Sequence, residues 1–174
     1  MSVLYLLTIA VANVLTARFS PLVLLGGTVI IPIGSFMIGM TFMLRDLVQM
    51  RHGKRKTYFA MFAAFLLSAG MSLTLGDTAH IAIASAVSFF VSETIDTEIF
   101  SRLQKSFAIR VMISGAVGGL ADSTLFVVVG LSPIGANVLS WSQIPYAVIG
   151  QTVVKAIMQT TVIGIRAKQR RKGR

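Results

Sequence analysis

The sequence predicts an all-α membrane protein: six transmembrane helices, both termini cytoplasmic. Three observations predict it. Hydrophobic residues make up 55% of the 174 residues and charged residues 13%, where a soluble domain carries roughly 25% charged residues. Mean hydropathy is +0.80. Apolar runs also follow one another with almost no polar linker, leaving too little polar surface to coat a soluble globule. The length is that of one domain, read as 1–174 with a basic cytoplasmic tail at 166–174.

Six helices fit the apolar runs, at roughly 2–18, 34–51, 56–75, 79–102, 106–130 and 144–166. The first lacks the basic leader and small-residue cleavage site of a signal peptide, so it is expected to be a span. Between the first two, "FSPLVLLGGTVIIPIG" is apolar but broken by Pro21, Gly26, Gly27, Pro32 and Gly34. That predicts a short re-entrant or hairpin excursion packed against the bundle. Orientation comes from loop charge. The net charge of +10 gathers in "RHGKRK" (51–56), "RLQK" (102–105) and the tail, while the opposite loops carry Arg18, then Asp77, then no charge between 131 and 143. Basic residues at membrane borders set topology and face lipid headgroups, so no nucleic-acid partner is expected.

Composition narrows the chemistry. Cysteine is absent, which excludes disulfides, thiolate catalysis and thiolate metal sites. His52 and His80 sit at segment ends without partners at metal spacing, so no metal and no cofactor are expected. There is no Gly-rich phosphate loop and no protease signature, so the chain is not expected to be an enzyme.

Charges inside the spans locate a candidate site. Lys155 lies about 16 Å from either predicted end of its helix, near the midplane. Asp122 and Glu93 are also deep, and Arg45, Asp46, Asp96 and Arg110 form a shallower layer toward the cytoplasm. A charge at such depth costs at least about 2.5 kcal/mol and must face the bundle interior or water. Polar residues recur at helical spacing beside them. Gln151, Lys155 and Gln159 form one stripe, and Arg110, Ser114, Gly118 and Asp122 a second. Ser85, Ser88, Ser92, Glu93 and Asp96 share a third face, and Thr8, Asn13 and Thr16 lie on the first helix. One Asp122–Lys155 pair would need none of this extra polarity; a central polar cavity would. Gly115 and Gly119 allow close helix approach. Phe42, Phe89, Phe90, Phe126 and Trp141 are expected mostly to face lipid or the interface, with one or two free to stack on a planar ligand, and Glu98 to pair with Arg102 at i+4. The cavity's inventory favours a small polar ligand with several N–H donors, cations included; a guanine-like edge fits, and so do many amines.

The segments "VANVLTARF", "FMLRDLVQMRHG", "SETIDTEIFSRLQ", "RVMISGAVGGLADSTLF" and "VVKAIMQTTVIGI" resemble, in order and spacing, the queuosine precursor transporter family, also called the VUT family. The resemblance implies a six-helix inner-membrane protein with a fold like the substrate-binding subunits of energy-coupling-factor transporters. It implies uptake of 7-deazaguanine bases, namely 7-cyano-7-deazaguanine and its aminomethyl relative, for tRNA modification. By position, Asn13, Asp46, Asp96, Asp122 and Lys155 match the family's polar residues. The bottom-up reading adds Glu93, Gln151 and Gln159 to the substrate-binding set. The chain departs from the family pattern at Glu93, where many members carry Gln, so a more acidic pocket is expected; it departs also at Met50, where many carry Glu, and at Gly119, where many carry Gln or Asn. The alternatives are a binding subunit served by a separate ATPase module, for another heterocycle or vitamin, and a structural membrane protein.

Overall fold

The structure, a computed structural model, describes residues 2–20, 22–24, 29–31, 33–76 and 79–172, excepting the side chains of 24, 29, 30, 79 and 166–172. Pro21, Gly26, Gly27 and Pro32 of the interrupted stretch, and Asp77, lie outside the described residues.

The described residues are mostly helical. They are α1 (Ser2–Arg18), α2 (Gly34–Thr74), α3 (Ala79–Arg102), α4 (Phe107–Leu125), continued by a π-helical turn (Phe126–Leu131), and α5 (Ile144–Lys172). The excursion between α1 and α2 is an antiparallel hairpin of β1 (Leu22–Leu24) and β2 (Val29–Ile31), with Val23 opposite Ile30. Helix α5 runs past the expected end at 166 to Lys172.

Expected helices 34–51 and 56–75 form one helical run broken at a single residue. Gly53 sits at φ 79°, ψ 166°, a backbone region open essentially to glycine alone. The break turns the chain back. Asn13 of α1 is bonded to Ser68 (3.1 Å), and Thr16, one turn further on, abuts Gly34. A straight helix would hold Gly34 and Ser68 about 51 Å apart, so the two arms of α2 lie side by side. They share one apolar core, with Met43, Leu44 and Leu47 from the first arm and Ala64 from the second.

The distribution of polarity is that of a protein solvated by lipid. Val3, Phe59, Leu73, Ile83 and Ile149 are exposed, while Arg45, Asp46, Glu93 and Asp96 are fully buried. In water this arrangement would expose apolar surface and bury charge at a double cost; in a bilayer the apolar faces meet acyl chains. Residues 34–74, 107–131 and 144–165 are long and apolar enough to cross a membrane. Against the expected six spans, α1 has 17 residues, about 25 Å of helix, and α3 carries Glu93, Asp96, Glu98 and Arg102 in its last three turns. Phe42 departs from expectation: it is 1% exposed, packed inside and not against lipid.

Candidate functional site

Two polar clusters occupy the bundle interior. The first surrounds a cavity in the half nearer the hairpin. Asn13 and Thr16 reach it from α1, Ser35 and Thr41 from the first arm of α2, and Ser68 from the second arm. Ser85, Ser88 and Phe89 line it from α3, Asp122 and Phe126 from α4 and its π-turn, and Gln151 and Lys155 from α5. Its volume is about 80 Å³. At roughly 10–15 Å³ per water centre that is space for several waters, whose displaced liquid volume, about 30 Å³ each, is that of a small heterocycle.

Local structure aims these groups. Gly39 packs against the backbone carbonyl of Lys155, where a Cβ would stand 2.6 Å away, so α2 and α5 cross closely at that level. Lys155 Nζ donates to Asp122 Oδ2 at 2.6 Å and to Ser123 Oγ at 2.8 Å. An ammonium has three N–H donors, so one remains. Ser92 Oγ donates to Asp122 Oδ1 over a long 3.5 Å, leaving that oxygen weakly engaged. Gln151, 1% exposed, has its amide Nε2 buried without a hydrogen-bond partner. Buried donors are normally paired, and an orphan one costs about 1–3 kcal/mol. Such a donor on a cavity wall is ready to bind an acceptor that enters.

The second cluster lies nearer the Gly53 end. Arg45 Nε meets Glu93 Oε2 at 2.9 Å, and its Nη2 meets Asp46 Oδ1 at 3.2 Å and Asp96 Oδ2. Nη1 donates to Thr97 Oγ1 at 2.7 Å. Gln49 Nε2 donates to Ser101 Oγ at 2.8 Å, one turn further along. Gly118 admits this packing: a Cβ there would come 2.9 Å from the Cβ of Asp96. Three carboxylates thus share one guanidinium.

Asn13, Asp122, Gln151 and Lys155 therefore line the cavity, whereas Asp46, Glu93, Asp96 and Gln159 do not. The first three of these hold Arg45. Gln159 donates to the backbone carbonyl of Val111 at 2.6 Å and packs on Gly115. The stripe Gln151–Lys155–Gln159 shares a face, but its last member lies one turn below the cavity floor. Arg110 leaves its expected stripe as well: it donates to Phe100 O at 3.0 and 2.7 Å and lies over the Phe100 ring. Glu98 meets Arg102 at 3.6 Å as expected, but Lys54 is closer at 2.6 Å and Tyr58 donates to it at 2.7 Å. Sequence reasoning missed Ser35, Thr41 and Ser68. For the first two a signal was present, since Ser35, Ile38 and Thr41 recur at spacing three.

These features define an integral membrane protein whose helices enclose a polar cavity of ligand size. The family model described as "Putative vitamin uptake transporter" matches residues 69–165, more than half of the chain, and the chain belongs to that family. The matched stretch contains Glu93, Asp96, Asp122, Gln151, Lys155 and Gln159, while Asn13 and Asp46 precede it. Membership places the protein among transporters of the vitamin-uptake type. No curated protein and no solved structure gives a significant match.

Proposed function

We propose that the protein takes up queuosine precursors, 7-cyano-7-deazaguanine or its aminomethyl relative, across the inner membrane. The observation that carries this reading is the juxtaposition of Asp122 with the unpartnered amide of Gln151 on the wall of one cavity. A deazaguanine edge presents N1–H and an exocyclic amine, which suit the weakly engaged Oδ1 of Asp122. Its O6 accepts from Gln151 Nε2 and from the remaining N–H of Lys155. Phe89 and Phe126 border the same space and offer ring faces to a planar base. The resemblance noted above supplies the substrate class, and the cavity's size and donor–acceptor pattern are compatible with it. Asn13, whose amide is bonded to Ser68, also lines the cavity.

Uptake of labelled 7-cyano-7-deazaguanine into liposomes containing only this protein is the direct test. Uptake by the wild type, reduced tenfold or more in Gln151→Leu and outcompeted poorly by adenine, is expected. Uptake appearing only when an ATPase module is added would transfer the energetic role to a partner. Absence of uptake in both settings would overturn the reading.

A further inference from the structure

We propose that the buried cluster of Arg45, Asp46, Glu93 and Asp96 is a proton-binding site that couples proton movement to the adjoining cavity. The inference rests on the transporter reading above and adds the coupling species to it.

Charge and hydrogen-bond inventory carry the argument. A structural clasp needs one carboxylate per cation, as Asp122 and Lys155 show one layer away. Here three carboxylates surround one guanidinium, all of them fully buried. The formal excess within the contact set is two negative charges, or one when the nearby Arg110 is counted, in a space that lipid and protein seal from water, where every oxygen must be satisfied internally. Beyond the three oxygens that meet Arg45, Asp46 Oδ2, Glu93 Oε1 and Asp96 Oδ1 have no hydrogen-bonded donor, nor does Oε1 of Gln49, itself 7% exposed, beside them. The Tyr5 hydroxyl, fully buried, likewise has no hydrogen-bond partner. The cluster is short of hydrogen atoms. Protons supply them: each added proton turns a carboxylate into an O–H donor for a neighbouring acceptor and removes one unit of excess charge.

A metal ion fits this site poorly. The guanidinium already fills the centre of the carboxylate ring, and among the described residues no group of acidic or histidine side chains is arranged to hold a metal. A proton needs no room.

The path to the cavity is short. Ser92 precedes Glu93 on α3 and bonds Asp122 on the cavity wall. The groups facing the cluster come from every helix around it. They are Tyr5 on α1, Arg45 and Asp46 on α2, Glu93 and Asp96 on α3, and Arg110 and Asp122 on α4. Lys155 on α5 lies behind Asp122, and Tyr58 on the second arm of α2 lies at the rim, bonded to Glu98. In the coupled cycle a proton arriving by way of the cavity adds to a carboxylate oxygen here. It leaves toward the cytoplasmic end, and the carboxylate is regenerated.

Two measurements test this. In liposomes with an interior one pH unit more alkaline, one proton per molecule raises the accumulation of 7-cyano-7-deazaguanine about tenfold over the value without a gradient. Glu93→Gln should abolish that gain while keeping the ligand-induced rise in melting temperature. Accumulation indifferent to the gradient in a wild type that binds ligand overturns the coupling and leaves the transport reading standing. The second readout needs no substrate. Infrared spectra of the purified protein should show a buried carboxylic-acid C=O band that titrates with pH and shrinks in Glu93→Gln and in Asp46→Asn, the latter serving if the former fails to fold. A wild-type spectrum without that band overturns the inference, whatever the ligand assays give.

Discussion

Lys155 on α5 and Asp122 on α4 meet at 2.6 Å, both nearly sealed from solvent, and the same carboxylate borders the cavity. The pair is at once a helix tie and a wall of the site. Removing one partner strands the other: Asp122→Leu or Lys155→Met alone should each cost about 3–5 kcal/mol, and the two together less than either single change. A double-mutant cycle of thermal melts in detergent reads this. Strict additivity would mean that the two charges do not interact.

Close packing between α3 and α4 hangs on Gly118, where an added Cβ would lie 2.9 Å from the Cβ of Asp96 and 3.2 Å from the carbonyl of Ser92. Gly118→Ala should therefore destabilise by about 1–3 kcal/mol. Gly70→Ala meets open space within α2 and should be neutral or stabilising by up to about 1 kcal/mol. Equal melting temperatures for the two variants would contradict this packing.

At Gly53 the constraint is torsional. A Cβ added there would meet nothing within 4 Å, yet φ is 79°. Gly53→Ala should cost about 1–3 kcal/mol from strain alone, as a lowered melting temperature without loss of ligand binding. An unchanged melt would show that the reversal of α2 does not need glycine.

The two glutamines of α5 should separate cleanly. Gln159→Leu removes a buried amide-to-carbonyl hydrogen bond to Val111 and should cost about 0.5–1.5 kcal/mol of stability, with ligand affinity unchanged. Gln151→Leu removes a donor that has no partner, so stability should hold or rise while affinity falls. Calorimetric titration and melting of both variants check the assignment; the opposite pattern would exchange their roles.

Helix positions were legible because apolar runs and the glycine and proline breaks between them are local properties of the chain. The buried charges were legible for the same reason: depth follows from counting residues along a helix. Their grouping was not. Spacing places Glu93 and Asp96 on an inward face, but whether that face meets a cavity or Arg45 depends on how α2 and α3 are rotated against each other. The hydroxyl of Thr97, which accepts from Arg45, fixes that rotation, and nothing in the sequence advertises it. Phe42 was misjudged in the same way, since an aromatic on an apolar helix gives no hint of which side faces lipid. Gln159 shares its stripe with Gln151, and only the close approach of α4 at Gly115 makes it a backbone partner.

The central claim is that the cavity beside Asp122 binds a 7-deazaguanine base, and thermal melting against free bases tests it most directly. The panel is guanine, adenine, both 7-deazaguanine precursors and several vitamins, each with wild type and Asp122→Asn. A ligand at a hundred times its Kd stabilises by about 2.7 kcal/mol, a readily measured shift. The account predicts that the deazaguanines raise the wild-type melting temperature and that Asp122→Asn loses the response. A shift produced by vitamins alone, or by none of the panel, would contradict it.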